Sequence, residues 1–254
     1  MNHQMNSRQR AITIDIETLP ALNPVISNGE VQKDGKNGDD RSRTALNGDF
    51  GRILCIGYAD EHPDGSVRRG IIGWDETCGN LPCDERKILI EFWEMLRSFR
   101  PSVDRIVGHN LFDFDLKFIY KRSVVQGVKP TVELSFARYR NQPLFDTMCE
   151  WERWGYGTKV SLDRLAHVLD LPSSKEDGMN GSQIERLYES GEHRAIYEYC
   201  LRDVELTRLI YRRMTFADFN VPSSSASSAL RGMPKEATIQ RAIPASHRTS
   251  EQSV

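Results

Sequence analysis

Along the chain, apolar positions recur with a period of two in some stretches and about 3.6 in others, with polar segments between them. AITIDIETLP (11–20) alternates: Ile12, Ile14 and Ile16 share one face of a strand, and Asp15 and Glu17 share the other. RILCIGYAD (52–60) predicts a strand buried on both faces, and VRRGIIGW (67–74) a third strand. Asp64-Gly65 between them favours a tight turn, so these two strands should pair antiparallel. CDERKILIEFWEMLRSF (83–99) sets Ile88, Leu89, Phe92, Trp93, Leu96 and Phe99 on one helical stripe, with Asp84 as N-cap. RIVGH (105–109) predicts a short buried strand, and LFDFDLKFIYKRSVVQG a helix ending near Gly127. PLFDTM (143–148) reads as a further strand. Helices follow at SLDRLAHVLDL (161–171, capped by Ser161), GSQIERLYESG (181–191) and HRAIYEYCLRDVELTRLIYRRM (193–214).

This order predicts a mixed α/β domain with antiparallel first strands and flanking helices. Residues 1–10 read as a flexible arm. Residues 21–50 are rich in Gly, Asn, Asp and Ser without a period and read as a polar loop insertion. Residues 221–254 form a polar tail with no core of its own, expected to be disordered. The folded domain is therefore expected to span 11–220.

Charge and cysteines change this picture little. A net charge of −2 over 254 residues counts against a protein that holds nucleic acid by bulk charge, but not against an enzyme with a local site. The five cysteines are scattered, the opening MNHQMNSRQR is not a secretory signal, and no apolar run is long enough for a bilayer. Free thiols, a cytoplasmic location and no membrane contact are the expectation. Cys78 and Cys83 in CGNLPC lack a second pair of zinc ligands and read as loop thiols.

The acids carry the candidate chemistry. Asp15 and Glu17 on one strand face repel unless water and salt, basic side chains or a metal ion lies between them. IVGHNLFDFDLKFI (106–119) brings Asp113 and Asp115 to the start of a helix; the spacing from Asn110 and the following Leu116 favour Asp115 as the site acid. YEYCLRDVELT puts Tyr199 and Asp203 four apart, on one helix face. Asp146 reads as structural, and His109 as a brace rather than a catalytic group.

The set Asp15, Glu17, Asp115, Tyr199 and Asp203 resembles the DEDD superfamily of 3′–5′ exonucleases, which have a ribonuclease H-like fold. IDIET matches the first motif, GHNLFDFDLKFI the second and YCLRD the third. The tyrosine marks the DEDDy branch; Glu198 stands where the histidine branch carries its histidine. Together with residues 161–191, the chain looks most like stand-alone exonucleases related to the proofreading domain of family B DNA polymerases. Three motifs in order, each on the right element, are far more specific than any one alone.

The resemblance implies two divalent cations, Mg²⁺ or Mn²⁺, held by Asp15, Glu17, Asp115 and Asp203. Asp15 would bridge both ions, Glu17 and Asp203 would complete the site of the attacking water, Asp115 would hold the second ion, and Tyr199 would orient the water. Thr18 and Leu19 would touch the terminal nucleotide, and Asn110 and Phe114 the substrate. The implied partner is a nucleic-acid 3′ end, single-stranded DNA being favoured and RNA possible, with nucleoside 5′-monophosphates as products. Lys117, Lys121, Arg122, Lys129, Arg138 and Arg140, with Tyr120 and Tyr139 among them, offer a basic aromatic region where bases could stack, or simply a solvated surface. The alternatives are a catalytically silent nucleic-acid-binding module and a 3′–5′ exoribonuclease like the ribonuclease D branch.

Overall fold

The computed structural model describes residues 9–22, 40–74, 84–155, 159–175 and 178–217. Five strands form one sheet: β1 (Ala11–Leu19), β2 (Arg52–Glu61), β3 (Val67–Ile72), β4 (Arg105–Gly108) and β5 (Leu144–Asp146). Their order is β3-β2-β1-β4-β5. β2 pairs antiparallel with both β1 and β3, while β4 is parallel to β1 and to β5. The helices are α1 (Asp40–Arg43), α2 (Glu85–Met95), α3 (Asp115–Val125), α4 (Thr147–Trp151), α5 (Leu162–Val168), α6 (Ile184–Glu189) and α7 (His193–Met214). This five-stranded mixed sheet flanked by helices has the ribonuclease H-like arrangement that the sequence implied.

The alternation in β1 explains the layering. Ile12, Ile14 and Ile16 are buried with Ile88, Leu89 and Phe92 of α2 and Leu116, Phe118 and Ile119 of α3. Burying an isoleucine contributes about 1.5–3 kcal/mol, so this face alone fixes the strand's parity. The other face of the sheet meets α7, whose long apolar stripe packs on β1, β2 and β4. The pairing of β1 with β2 slips after Glu17: Glu17 faces Cys55, but Thr18 faces Ile53. Leu54 is the extra residue of this bulge, so Leu54 and Cys55 both pack with residues of α7.

α7 approaches β2 closely because Gly57, the partner of Asp15, has no side chain. A Cβ there would lie 2.7 Å from Cys200 Sγ and 2.9 Å from Val204 Cγ2. Gly57→Ala should therefore push α7 off β2, at a cost of about 1–3 kcal/mol. Thermal melting should show the loss, and activity should fall further than the melting shift explains, because α7 carries Tyr199 and Asp203.

Several boundaries differ from the sequence expectation. β1 runs past the alternating isoleucines to Leu19. β5 stops at Asp146, because its carboxylate caps α4 by accepting from the backbone N–H groups of Met148 and Cys149 at 3.0 and 3.2 Å. Asp84 does occupy the N-cap of α2 but makes no side-chain cap bond there. Residues 40–46, expected as loop, form α1 and a turn of 3₁₀ helix. Arg10 is not part of a loose arm: its guanidinium reaches the buried Asp60 carboxylate at 2.7 and 2.8 Å, and Arg68 joins at 2.9 Å. Residues 1–8, most of the expected loop insertion, Cys78, Cys83 and the tail lie outside the described residues. Cys55, Cys149 and Cys200 are free thiols. Among the described residues, no helix is long and apolar enough to cross a membrane.

Candidate active site

The acids converge where β1, α3 and α7 meet. Asp15 and Glu17 leave the α7 face of β1, each within reach of the Cys200 thiol. A carboxylate oxygen of Asp15, one of Glu17 and Cys200 Sγ all lie within 4.8 Å of one another. The thiol is 3.6 Å from both the carbonyl oxygen and Oδ2 of Asp15. Asp115, the first residue of α3, crosses the front of the same strand: its Oδ1 accepts from the N–H of Ile16, between the two β1 acids, at 3.2 Å. Asp203 lies one turn beyond Tyr199 on α7, and both side chains are buried.

Burial and mutual repulsion govern the electrostatics. Burial first, then the charges of Asp115 and Asp203, push the Asp15 carboxyl well above its ordinary range. Glu17 is raised in the same way by burial, Asp15, Asp203 and Asp115. Asp115 is raised by burial, although backbone N–H groups, including that of Ile16, pull it partly back. Asp203 is raised by burial but relieved by the hydroxyls of Ser174 and Tyr199 and by Lys175 and Arg202. Those hydroxyls stand near it without completing a hydrogen bond to Oδ1, which is buried and unpartnered. Burial and the neighbouring acids push the Tyr199 phenol upward, so it carries its proton at neutral pH.

Four carboxylates gathered this way without a salt bridge among the described residues are an uncompensated anionic cluster. A hard divalent cation fits it: the donors are carboxylate oxygens, and an orphaned Asp203 oxygen adds to the set. Cys200 adds a soft donor at the cluster.

The supports are local. Asp146 is fully buried, and its two oxygens accept from the N–H groups of Asn110 and Phe112, each at 3.1 Å, as well as from α4. It thereby ties down the turn between β4 and α3, where Asn110 adopts φ +62°. The Asn110 side-chain oxygen is buried and unpartnered. His109 has both ring nitrogens engaged, at 2.9 Å to Thr147 Oγ1 and 3.0 Å to the Val160 carbonyl. Burial lowers its pKa, so it sits there as a neutral brace. Asp113 turns away from the cluster to pair with Arg138 and with Lys159, the latter at 3.1 Å.

The remaining candidates are more scattered. Thr18 Oγ1 donates to the Ala45 carbonyl at 2.6 Å. Leu19 is packed with Leu54, Met179, Ile184 and Tyr199, and so lies beneath the tyrosine rather than at the surface. Phe114 packs on Phe118, 5.7 Å between ring centres, and lines a cleft together with Lys117, Lys121 and residues 46–49. The expected basic region is largely paired: Arg122 binds Glu85 at 2.7 Å and Lys121 binds Asp49 at 2.6 Å. Sequence reasoning missed Cys200 and Ser174. Cys200 is readable in retrospect, since it follows Tyr199 on the side of α7 facing the glycine in β2. Ser174 gives no such signal; the 172–175 loop brings it to Asp203, and Arg202 Nε donates to its carbonyl at 3.2 Å.

A family model described as "Predicted 3'-5' exonuclease related to the exonuclease domain of PolB" matches residues 48–236. The chain belongs to this family. The exonuclease match begins after β1, so Asp15 and Glu17 lie ahead of it, and the fold brings them within electrostatic reach of Asp115 and Asp203 inside it. The exonuclease domain is also 25% identical over 182 residues to the protein named "Putative DNA polymerase 060R" of Frog virus 3 (isolate Goorha). That alignment covers 61% of this chain and 17% of the viral protein. The exonuclease thus spans about a sixth of that relative's length. The domain is a 3′–5′ exonuclease, a hydrolase whose substrate is nucleic acid.

Proposed function

We propose that this exonuclease removes nucleotides from the 3′ ends of single-stranded DNA, releasing nucleoside 5′-monophosphates, with Asp15, Glu17, Asp115 and Asp203 holding two divalent cations, Mg²⁺ or Mn²⁺. The observation that carries the reading is the buried, unneutralised carboxylate cluster built from β1, α3 and α7. When bound, the ions would supply Lewis-acid stabilisation of the charge on the phosphodiester and a more acidic attacking water.

The chain's own groups do the rest. Asp115, oriented by the Ile16 N–H, holds its carboxylate against the strand that carries Asp15 and Glu17. Tyr199, protonated, directs the attacking water through its hydroxyl instead of removing a proton. Burial raises the Asp203 carboxyl, and Ser174, Tyr199, Lys175 and Arg202 partly offset that rise, which favours the charged form that receives a cation. The Phe114 side of the cleft and the turn at Asn110 receive the terminal nucleotide. We take residues 11–220 as one domain, with the polar segment 21–50 inserted after β1.

Metal binding is the first test of this reading. Mg²⁺ or Mn²⁺ at a hundredfold excess over Kd should stabilise the protein by about 2.7 kcal/mol, roughly 5–10 °C in Tm. Asp203→Asn should remove most of that shift while melting normally without metal. A metal-free domain with no shift would instead favour the silent binding module. Parallel assays on matched DNA and RNA strands decide the polymer: a clear preference for RNA would replace DNA with the exoribonuclease reading.

A further inference from the structure

Between α3 and β5 the chain runs from residue 126 to 143 without a regular element, anchored by the buried Val128 and Leu134 while residues 135–141 are exposed. Irregular connections of this length are uncommon in compact domains and usually carry function. This one is clamped to the start of α3 and to α2. Arg138 binds Asp113, two residues ahead of Asp115, and Thr131 Oγ1 donates to the Trp93 carbonyl of α2. The loop and α3 together enclose a cavity of about 700 Å³. Its walls include Phe112, Lys117, Tyr120, Lys129, Phe136 and Arg138.

The character of these walls is specific. Tyr120 and Phe136 stand 6.0 Å apart at an interplanar angle of 62°, and they remain 51% and 37% exposed. Two open rings on one cavity wall offer a face on which an aromatic occupant can stack. Lys117 and Lys129 make no ion pair among the described residues, so both ammonium groups are available for anions. Lys117 and Asp113 also line the neighbouring cleft that contains Phe114. The cavity and that cleft therefore adjoin near the start of α3.

We infer that this cavity is a subsite for a nucleobase of the single strand upstream of the scissile bond, stacked on Tyr120 and Phe136, with its phosphates met by Lys117 and Lys129. The inference rests on the exonuclease reading for the direction of the strand: when the 3′ end occupies the acid cluster, the remaining chain must leave on its 5′ side. Open aromatic faces next to unpaired lysines are the combination by which single strands are held without sequence preference. The subsite would make affinity depend on strand length.

The test is binding of fluorescent oligodeoxythymidylates of two to twelve nucleotides to the intact protein, in Ca²⁺ so that no turnover is needed. Affinity should rise with length in the native protein. In Tyr120→Ala/Phe136→Ala the gain with length should shrink by about tenfold or more. Tyr120→Phe, which keeps the ring, should retain it. Lys117→Ala should lower the salt dependence of binding by roughly one counterion. A double variant that melts like the native protein and keeps its full length dependence would overturn the subsite. Failure of the exonuclease reading would look different: length-dependent binding would persist, but native protein with Mg²⁺ would leave the same oligonucleotides intact.

Discussion

Asp15→Asn should lower the rate of 3′-end hydrolysis by about a thousandfold or more, because it withdraws a carboxylate from the centre of the cation site, where the stabilisation at stake is several kcal/mol. Asp15 is coupled to the other acids of the cluster: Asp115 and Asp203 both raise it, and it in turn raises Glu17. The same substitution should raise the melting temperature of the metal-free protein, since it removes one charge from a buried, repelling cluster without changing the side chain's size. Higher apo stability together with lost catalysis is the signature of a functional acid. A structural acid would lose stability when neutralised. Steady-state cleavage with and without saturating Mg²⁺, beside melting in EDTA, checks both halves. Equal stability losses with and without metal would mean that Asp15 is held by the protein and not for a cation.

Asp146→Ala should be among the most destabilising single changes in the domain. Its carboxylate is 0% exposed and accepts from four backbone N–H groups, those of Asn110, Phe112, Met148 and Cys149. Alanine leaves all four donors without their acceptor; water entering the space could satisfy some, so the net cost is about 3–5 kcal/mol. The turn held by these bonds positions Asn110 and, five residues on, Asp115. Activity measured well below the lowered Tm should therefore also fall, with weaker metal binding. Asp146→Asn separates the two roles, since its single amide oxygen keeps part of the acceptor set and should recover part of the stability. Chemical denaturation of the three proteins reads this order directly.

Much of the site was legible because local periodicity fixed it. The alternation of Ile12, Ile14 and Ile16 with Asp15 and Glu17 requires both acids to face away from α2 and α3, and they do. The apolar stripe of residues 193–214 gives a helix with the boundaries that the structure has, and its four-residue spacing sets Tyr199 and Asp203 on one face. The rest depends on contacts between residues far apart in sequence. No local pattern announces that the bulge at Leu54 turns both Leu54 and Cys55 toward α7, or that Gly57 lets the Cys200 thiol reach Asp15. The basic region read from residues 117–140 was blurred for the same reason. Arg122, Lys121 and Arg138 are spent on Glu85, Asp49 and Asp113, and only the fold distinguishes them from Lys117 and Lys129. Phe136, which carries no sequence signal of its own, becomes notable only when the loop sets it beside Tyr120.

The central claim is that acids from β1, α3 and α7 form one cation-dependent site that shortens nucleic acid from its 3′ end. The most direct measurement is cleavage of a 5′-labelled single-stranded DNA by the purified protein with Mg²⁺ or Mn²⁺, beside an EDTA control, Asp15→Asn, and the same strand with a blocked 3′ terminus. The account predicts a descending ladder of products that disappears with EDTA, with the substitution and with the blocked end. A ladder that persists in EDTA or in Asp15→Asn, or cleavage within the strand that ignores the blocked end, would contradict it.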